Sequence, residues 1–288
     1  MEFFDLSSIG IAWGSILMLS MMLLLLITGM PLALVTGTVA AFFVIFWIGT
    51  NASLILASRI YGFTTSYVFV AVPMFILMAS ILDKSGIARD LFNAMRIIGG
   101  KLRGGIAVQT LVVAVFLAAM SGIIGGETIL LGVLALPQML RLGYNKNLAI
   151  GVVVAGGSLG TMVPPSIVLI IYGLIANVSI SDLFTGAFLP ALMLAGFYVA
   201  YVLIRCYLDP SLAPIADDVE LKLTRKQKLN EFKNVILPVI IAMSVLGSIY
   251  GGIASVTEAS GIGAVGIAIS TWVPGELTWK LIPERVFQ

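Results

Sequence analysis

The chain alternates long apolar runs with short polar connections, and the lengths of the runs predict membrane-crossing helices. After Asp5 no charged residue occurs until Arg59. That interval holds an apolar run from Ile9 to Thr28, a Gly29-Met30-Pro31 turn and a second run from Leu32 to Ile48. Each is near the roughly 20 residues that cross a bilayer. Residues 51–62 are less apolar and carry Arg59 beside Tyr61, the pattern of a short interfacial helix whose arginine reaches the headgroups. Tyr67 to Leu82 reads as a third span, kinked at Pro73. Residues 83–105 read as a polar connection, with Lys84, Arg89, Arg96, Lys101 and Arg103 against Asp83 and Asp90. The basic excess places it in the cytoplasm and the N-terminus outside.

Residues 106–137 are followed by LRLGYNKN, a second basic connection that also reads as cytoplasmic. The apolar segment must therefore leave the cytoplasm and return to it. Two full spans would need roughly 40 residues plus a turn, so the prediction is a re-entrant hairpin with its tip at SGIIGGETILLG, Ser121 to Gly132. From Leu148 an interrupted helix runs to Asn177 and emerges outside at NVSISD. Leu183 to Ile204 crosses back, and Arg205 to Lys233 forms a long solvated cytoplasmic connection. Asn234 to Ile249 begins another span, followed by the turn YGGIASVTEASG, an apolar stretch to Trp272, and a polar, amphipathic end at GELTWKLIPERVFQ. Ala33-Leu34-Val35-Thr36 and Ala254-Ser255-Val256-Thr257 each follow a turn after a long span. They start on opposite sides of the membrane, as an inverted repeat would, although chance matching of common membrane residues gives the same similarity.

Composition agrees with the pattern: 60% of residues are hydrophobic, 10% are charged, and mean hydropathy is +1.11. No soluble chain of this length hides so much apolar surface, so a polytopic membrane protein is predicted. The net charge of +2 carries no information about partners, and no basic run interleaved with aromatics points to nucleic acid. Cys206 is the single cysteine and histidine is absent, which removes a disulfide framework and the commonest metal ligand, general base and proton relay. Glu2 and Asp5 stand where a signal peptide needs basic residues, so the first run reads as a span.

Two stretches carry chemistry. In GGSLGTMVPPSIVLIIYG, Gly156 to Gly173, Pro164 and Pro165 remove two backbone donors and push Val163 out of the helical region. Gly156, Gly157 and Gly160 let the backbone turn and be approached closely. Carbonyls set free at membrane depth are tolerated only inside protein or beside a polar cavity, which predicts a site; the plainer alternative is a proline kink with glycines for close packing. The hairpin tip concentrates Ser121, Gly122, Gly125, Gly126, Glu127 and Thr128. A carboxylate in a membrane is explained by a bound cation, a proton or a basic partner, and no Lys or Arg lies in the adjoining apolar runs. Alternatively Glu127 reaches the surface or caps the second helix of the hairpin. Paired with the break, the tip reads as half of a secondary-transporter site. The break contributes Gly157, Ser158, Gly160, Thr161, Pro164, Pro165 and Ser166 to its cation and substrate candidates. GGSLG lacks the Gly-Lys-[Ser/Thr] ending of a P-loop, so ATP hydrolysis is not predicted, and no nucleophile–base pattern suggests an enzyme.

SGIIGGETILLG, LALPQMLRLGYNKNLAIG, GGSLGTMVPPSIVLIIYG and GGIASVTEASGIG resemble, in order and spacing, the signature stretches of the large membrane subunit (permease, DctM-like) of tripartite ATP-independent periplasmic (TRAP) transporters. The resemblance covers essentially the whole chain. It implies an all-α polytopic protein of the bacterial inner membrane, with inverted-repeat architecture and an elevator mechanism in which hairpin and broken helix move as a rigid body. It implies import of organic acids, C4-dicarboxylates or other carboxylates, coupled to a cation, usually Na⁺, with no other cofactor. The implied partners are a small four-helix membrane subunit and a periplasmic solute-binding protein that selects the substrate. In that frame residues 1–82 are scaffold helices and an interfacial arm, and 83–177 the transport region, with Na⁺ held between hairpin and break. Residues 178–233 are a helix and cytoplasmic connection, and 234–288 the opening of a second inverted half that the family continues beyond Gln288. One half supplies one wall of the site, so the chain alone is not expected to transport. Gly-Gly-Glu at 125–127 departs from the small neutral residues of many relatives. A different class, an ion channel or ion-translocating subunit without a binding protein, would place Glu127 on a pore.

Overall fold

The computed structural model describes residues 10–49, 52–99, 102–122, 125–214 and 225–272, and among them there is helix and no strand. The polar end at 273–288, much of the connection after α11 (215–224) and the hairpin residues 123 and 124 lie outside the described residues. The chain divides into two compact units, one ending at Ser66 and one beginning at Tyr67.

In the first unit α1 (Ile11–Ile27) and α2 (Leu32–Phe43) follow the two predicted runs, and α2 continues into a π-helical turn, Val44–Ile48. The ring of Trp47 lies on Gly14, where a Cβ has no room, and Phe43 stacks on Trp47 with centroids 6.1 Å apart. The outer faces stay apolar: Leu23, Leu24 and Leu34 are exposed, as suits helices solvated by lipid. The short helix α3 (Ser53–Thr64) buries no residue and exposes Leu54, Ile55 and Tyr61 beside Arg59, in keeping with the interfacial pattern.

In the second unit a 3₁₀ turn, Tyr67–Val70, leads into α4 (Ala71–Lys84). Pro73 falls in the first turn of α4, where an N–H has no intrahelical partner, so it marks a start and does not kink a span. The polar connection predicted after α4 is instead the amphipathic helix α5 (Ile87–Gly99), which buries Ile87, Ala88, Leu91, Phe92 and Ala94. Ser85, between the two helices, is buried, and its hydroxyl donates to the Leu82 carbonyl at 2.8 Å.

α6 (Gly105–Ser121) is the central helix: 12 of its 17 residues are buried, and it packs against α4, α5, α9 and α11. It is followed by α7 (Gly126–Leu134), α8 (Leu136–Arg141) and then α9 (Lys146–Ser158), whose N-terminus is capped by the Asn145 side chain accepting from Asn147 N–H at 3.0 Å. α10 (Ile167–Ala176) ends on Asn177 in the left-handed region, φ 53°. α11 (Ile180–Leu208) has 29 residues, an 18-residue stretch of it has mean hydropathy 2.1, and among the described residues it is the helix long and apolar enough to cross a bilayer by itself. Among the described residues there are also six shorter apolar helical stretches.

α12 (Arg225–Tyr250) is helical from well before the predicted start at Asn234, with Pro238 inside it. α13 (Val256–Trp272) opens with a reciprocal cap: Glu258 Oε2 accepts from Ser255 N–H at 2.7 Å, and Ser255 Oγ accepts from Glu258 N–H at 3.3 Å. α13 lies along α4, with Gly263 admitting Met78, and α12 lies along α5.

Candidate functional site

The hairpin turn and the break in the next long helix are built separately by local chemistry and then joined at glycines. α6 ends when Gly122 takes φ +59°, and Gly125 takes φ +90° to open α7, conformations that a side chain would strain. α9 ends at Ser158 and tightens into a 3₁₀ turn, Leu159–Thr161, whose Leu159 carbonyl accepts both Met162 N–H at 3.0 Å and Val163 N–H at 2.9 Å. Pro164 and Pro165, joined by a cis peptide bond, then carry the chain past the break without donors. Ser166 Oγ donates back to the Thr161 carbonyl at 2.8 Å before α10 begins.

The two irregular segments meet along three contacts. A Cβ on Gly122 would overlap the Pro165 carbonyl oxygen, and the Gly122 carbonyl accepts Ile167 N–H at 3.2 Å. At the second contact the Glu127 carboxyl lies on Gly160, where a Cβ would fall 2.6 Å from Oε2 and 2.8 Å from Cδ. At the third, Thr128 lies on Gly157, and a Cβ there would come within 2.7 Å of Thr128 Cβ and 2.9 Å of its Cα. Gly156, one residue earlier, faces Ala114 and Leu131. The glycines that the sequence marks as permitting close approach are therefore the surfaces of contact.

Glu127 is 3% exposed. Its Oε1 accepts a hydrogen bond from Ser121 Oγ, and its Oε2 is buried with no hydrogen-bond partner. It does not reach the surface; it stands in the first turn of α7, where the helix dipole favours a carboxylate, without a side-chain cap hydrogen bond at Gly125. No Lys or Arg lies in α6, α7 or the stretch from 159 to 176. A carboxyl so placed is one donor or one cation short of satisfaction.

Other candidates stand apart from this contact. Ser158 is exposed, and its hydroxyl donates to Ala155 C=O at 2.7 Å, with Tyr198 Oη 3.5 Å away. Thr161 Oγ1 donates to the Ser158 carbonyl at 2.8 Å, and a Cβ on Gly125 would meet nothing. Pro164 is buried beside the contact. Asp83 is a neighbour that sequence reasoning missed: its Oδ2 lies 3.8 Å from the position of a Cβ on Gly126. The available signal was Lys84-Ser85-Gly86 with Gly86 at φ +79°, a helix break that reads along the chain as the start of a loop. Among the described residues no three of His, Cys, Asp or Glu come together to hold a metal ion. A small cation would be met by this one carboxyl, hydroxyls and backbone carbonyls.

The chain is similar to known proteins of one family. The family described as the DctM component of the tripartite ATP-independent periplasmic transporter matches residues 19–288. The C4-dicarboxylate TRAP transporter large permease protein DctM of Vibrio cholerae is 29% identical over 241 residues, 84% of this chain and 52% of the relative. The ectoine TRAP transporter large permease protein TeaC of Halomonas elongata is 30% identical over 246 residues, 85% of this chain and 56% of the relative. The sialic acid TRAP transporter permease protein SiaT of Haemophilus influenzae is 29% identical over 265 residues, 90% of this chain and 41% of the relative. The chain thus spans about half the length of these curated relatives.

Proposed function

We propose, for a chain that belongs to the DctM component family of tripartite ATP-independent periplasmic transporters, that it forms part of an inner-membrane permease importing organic acids by secondary transport. The observation that carries this reading is the glycine-lined junction of hairpin turn and helix break, with the buried Glu127 carboxyl inside it. Broken helix ends present N–H groups to anions and carbonyls to small cations without a lipid-exposed backbone, which is how irregular segments serve transport at membrane depth. The substrate is a carboxylate, with C4-dicarboxylates one candidate; relatives named for ectoine, isethionate and sialic acid show that family members differ in cargo. The coupling ion is Na⁺, met by Ser121, Glu127 and the backbone of 157–166. The partners are a small membrane subunit and a periplasmic binding protein. The hairpin and break move together in an elevator motion.

Reconstitution of the permease with its small subunit and binding protein in liposomes tests the reading. Labelled succinate or another carboxylate bound by that binding protein enters only with an inward Na⁺ gradient, and Ser121→Ala and Glu127→Gln raise the Na⁺ concentration for half-maximal uptake. Uptake indifferent to Na⁺ removes the coupling assignment. Ion currents without the binding protein would replace the transporter by a channel.

A further inference from the structure

Away from the hairpin junction, a groove of about 690 Å³ runs between α9 and α11 over Leu111 of α6. Its lining changes along its length. One end carries Asn145, Asn147 and Arg205, with Lys146 exposed beside them. The middle is apolar, with Leu148, Gly151, Val152 and Phe197. The far end is Ala155 and Tyr198, whose hydroxyl lies 3.5 Å from Ser158 at the last turn before the helix break. Ten residues of α9 separate Asn145 from Ala155, about 15 Å of helix. That is the depth of one leaflet, half of a hydrocarbon core of about 30 Å.

The groove is open toward the surroundings of α11, where Phe197 is 63% and Tyr201 60% exposed. A Cβ on Gly151 would meet nothing within 4 Å, so its floor is open as well. Arg205 is exposed, and among the described residues no carboxylate is in salt-bridge contact with it. Asp209, one turn on, is within electrostatic reach, but its Oδ1 already accepts the Ser211 N–H at 3.1 Å and hydroxyl at 2.6 Å. Asn145 uses its side-chain oxygen to cap α9, which leaves its amide N–H₂ as a donor beside Arg205.

We propose that this groove is a binding site for one anionic phospholipid. Its phosphate sits among Arg205, Asn145 and Asn147, and an acyl chain lies over Gly151 and Phe197 toward Ala155. The division of the lining selects this occupant. A soluble anion would use the basic end and leave the apolar length empty, and a helix of about 10–12 Å diameter would have to set an apolar face against Arg205. A bound lipid would touch both α11 and the arm that carries Gly157 and Gly160, so the composition of the surrounding leaflet would bear on the hairpin junction.

The test uses the purified chain in detergent, with lipid binding counted by native mass spectrometry and the thermal midpoint followed during titration. Dioleoyl-phosphatidylglycerol binds at least about fivefold more tightly than dioleoyl-phosphatidylcholine, the effect of one basic residue at a headgroup. Arg205→Gln abolishes that preference and Arg205→Lys keeps most of it. Gly151→Leu, which fills open space, weakens both lipids without altering the circular dichroism. Equal binding of the two lipids overturns the proposal, as does a preference that survives Arg205→Gln. A rise in midpoint with inorganic phosphate as large as with phosphatidylglycerol would identify a soluble anion site instead. Failure of both lipids to bind would mean that protein fills the groove. Should Gly151→Leu not fold, the Arg205 pair decides alone, and none of these results depends on transport.

Discussion

Gly160→Ala adds one methyl at the point of the junction where the Glu127 carboxyl rests on the break. The new Cβ would lie 2.6 Å from Glu127 Oε2, 2.8 Å from Cδ and 2.9 Å from Oε1. An exposed glutamate would swing aside, but this one is 3% exposed and held by Ser121, so either the carboxyl leaves its rotamer or the 3₁₀ turn shifts. Overpacking of this kind costs about 1–3 kcal/mol. Against it stands a gain: Gly160 has no positive φ, and alanine loses about 0.5–1 kcal/mol less than glycine when such a backbone is ordered. The expected net loss is about 1–2 kcal/mol. In a Glu127→Ala background the obstacle is gone and only the gain remains, so Gly160→Ala becomes neutral or stabilising. Equilibrium unfolding of the four chains in mixed micelles, followed by circular dichroism, gives the cycle. A coupling energy of about 1–3 kcal/mol is expected. Equal destabilisation by Gly160→Ala in both backgrounds would refute the contact between the Glu127 carboxyl and Gly160.

The neighbouring contact is stiffer, because a Cβ on Gly157 meets Thr128 Cα at 2.9 Å as well as its side chain. Gly157→Ala therefore costs about 3 kcal/mol or more in the same assay, and Thr128→Ala does not rescue it; a loss smaller than that of Gly160→Ala would contradict the geometry. Ser166→Ala removes the hydroxyl that satisfies the Thr161 carbonyl at 2.8 Å and costs about 1–2 kcal/mol, whereas an unchanged unfolding midpoint would mean that the hydroxyl does not bridge the break. Single cysteines at the exposed Arg103 and Arg141, in a Cys206→Ala background, are labelled from the cytoplasm alone, while a cysteine at the buried Ser85 is labelled from neither side. Outside labelling at Arg141 would mean that residues 106–137 cross the membrane.

What the sequence revealed was backbone chemistry. Pro164-Pro165 after Gly160 leaves a helix no way to continue, and α9, the 3₁₀ turn and α10 fall on either side of that mark. Gly122 and Gly125 likewise bracket the turn between α6 and α7. α5 stayed hidden because its basic residues dominate a reading by charge, while Ile87, Leu91 and Phe92 recur at helical spacing beneath them. A reading by charge starts a span at Asn234 for the same reason, while α12 begins at Arg225: charge ends a membrane span, but it does not end a helix. The pairing of Gly157 with Thr128 and of Gly160 with Glu127 could not be read along the chain, since contact between residues about 30 apart depends on how α7 and α9 pack.

The position of Asp83 ties these observations together. α4 and α5 are separated by Ser85 and Gly86, α6 and α7 by the turn from Gly122 to Gly125, and α9 and α10 by residues 159–166. Asp83 reaches the residue beside Glu127, and Glu127 and Gly122 touch the 159–166 break, so the three interruptions gather at one place. Each interruption leaves backbone groups without helical partners, and each such group facing hydrocarbon costs several kcal/mol. Two of them are joined where the Gly122 carbonyl takes the Ile167 N–H, and the 159–166 break covers part of itself where the Thr161 carbonyl takes the Ser166 hydroxyl. Among the described residues two buried side-chain polar atoms lack a partner, Gln109 Oε1 within α6 and, at this junction, Glu127 Oε2. At this meeting of helix breaks one buried carboxyl oxygen, Glu127 Oε2, is left unmet, and a ligand placed here would change that atom the most.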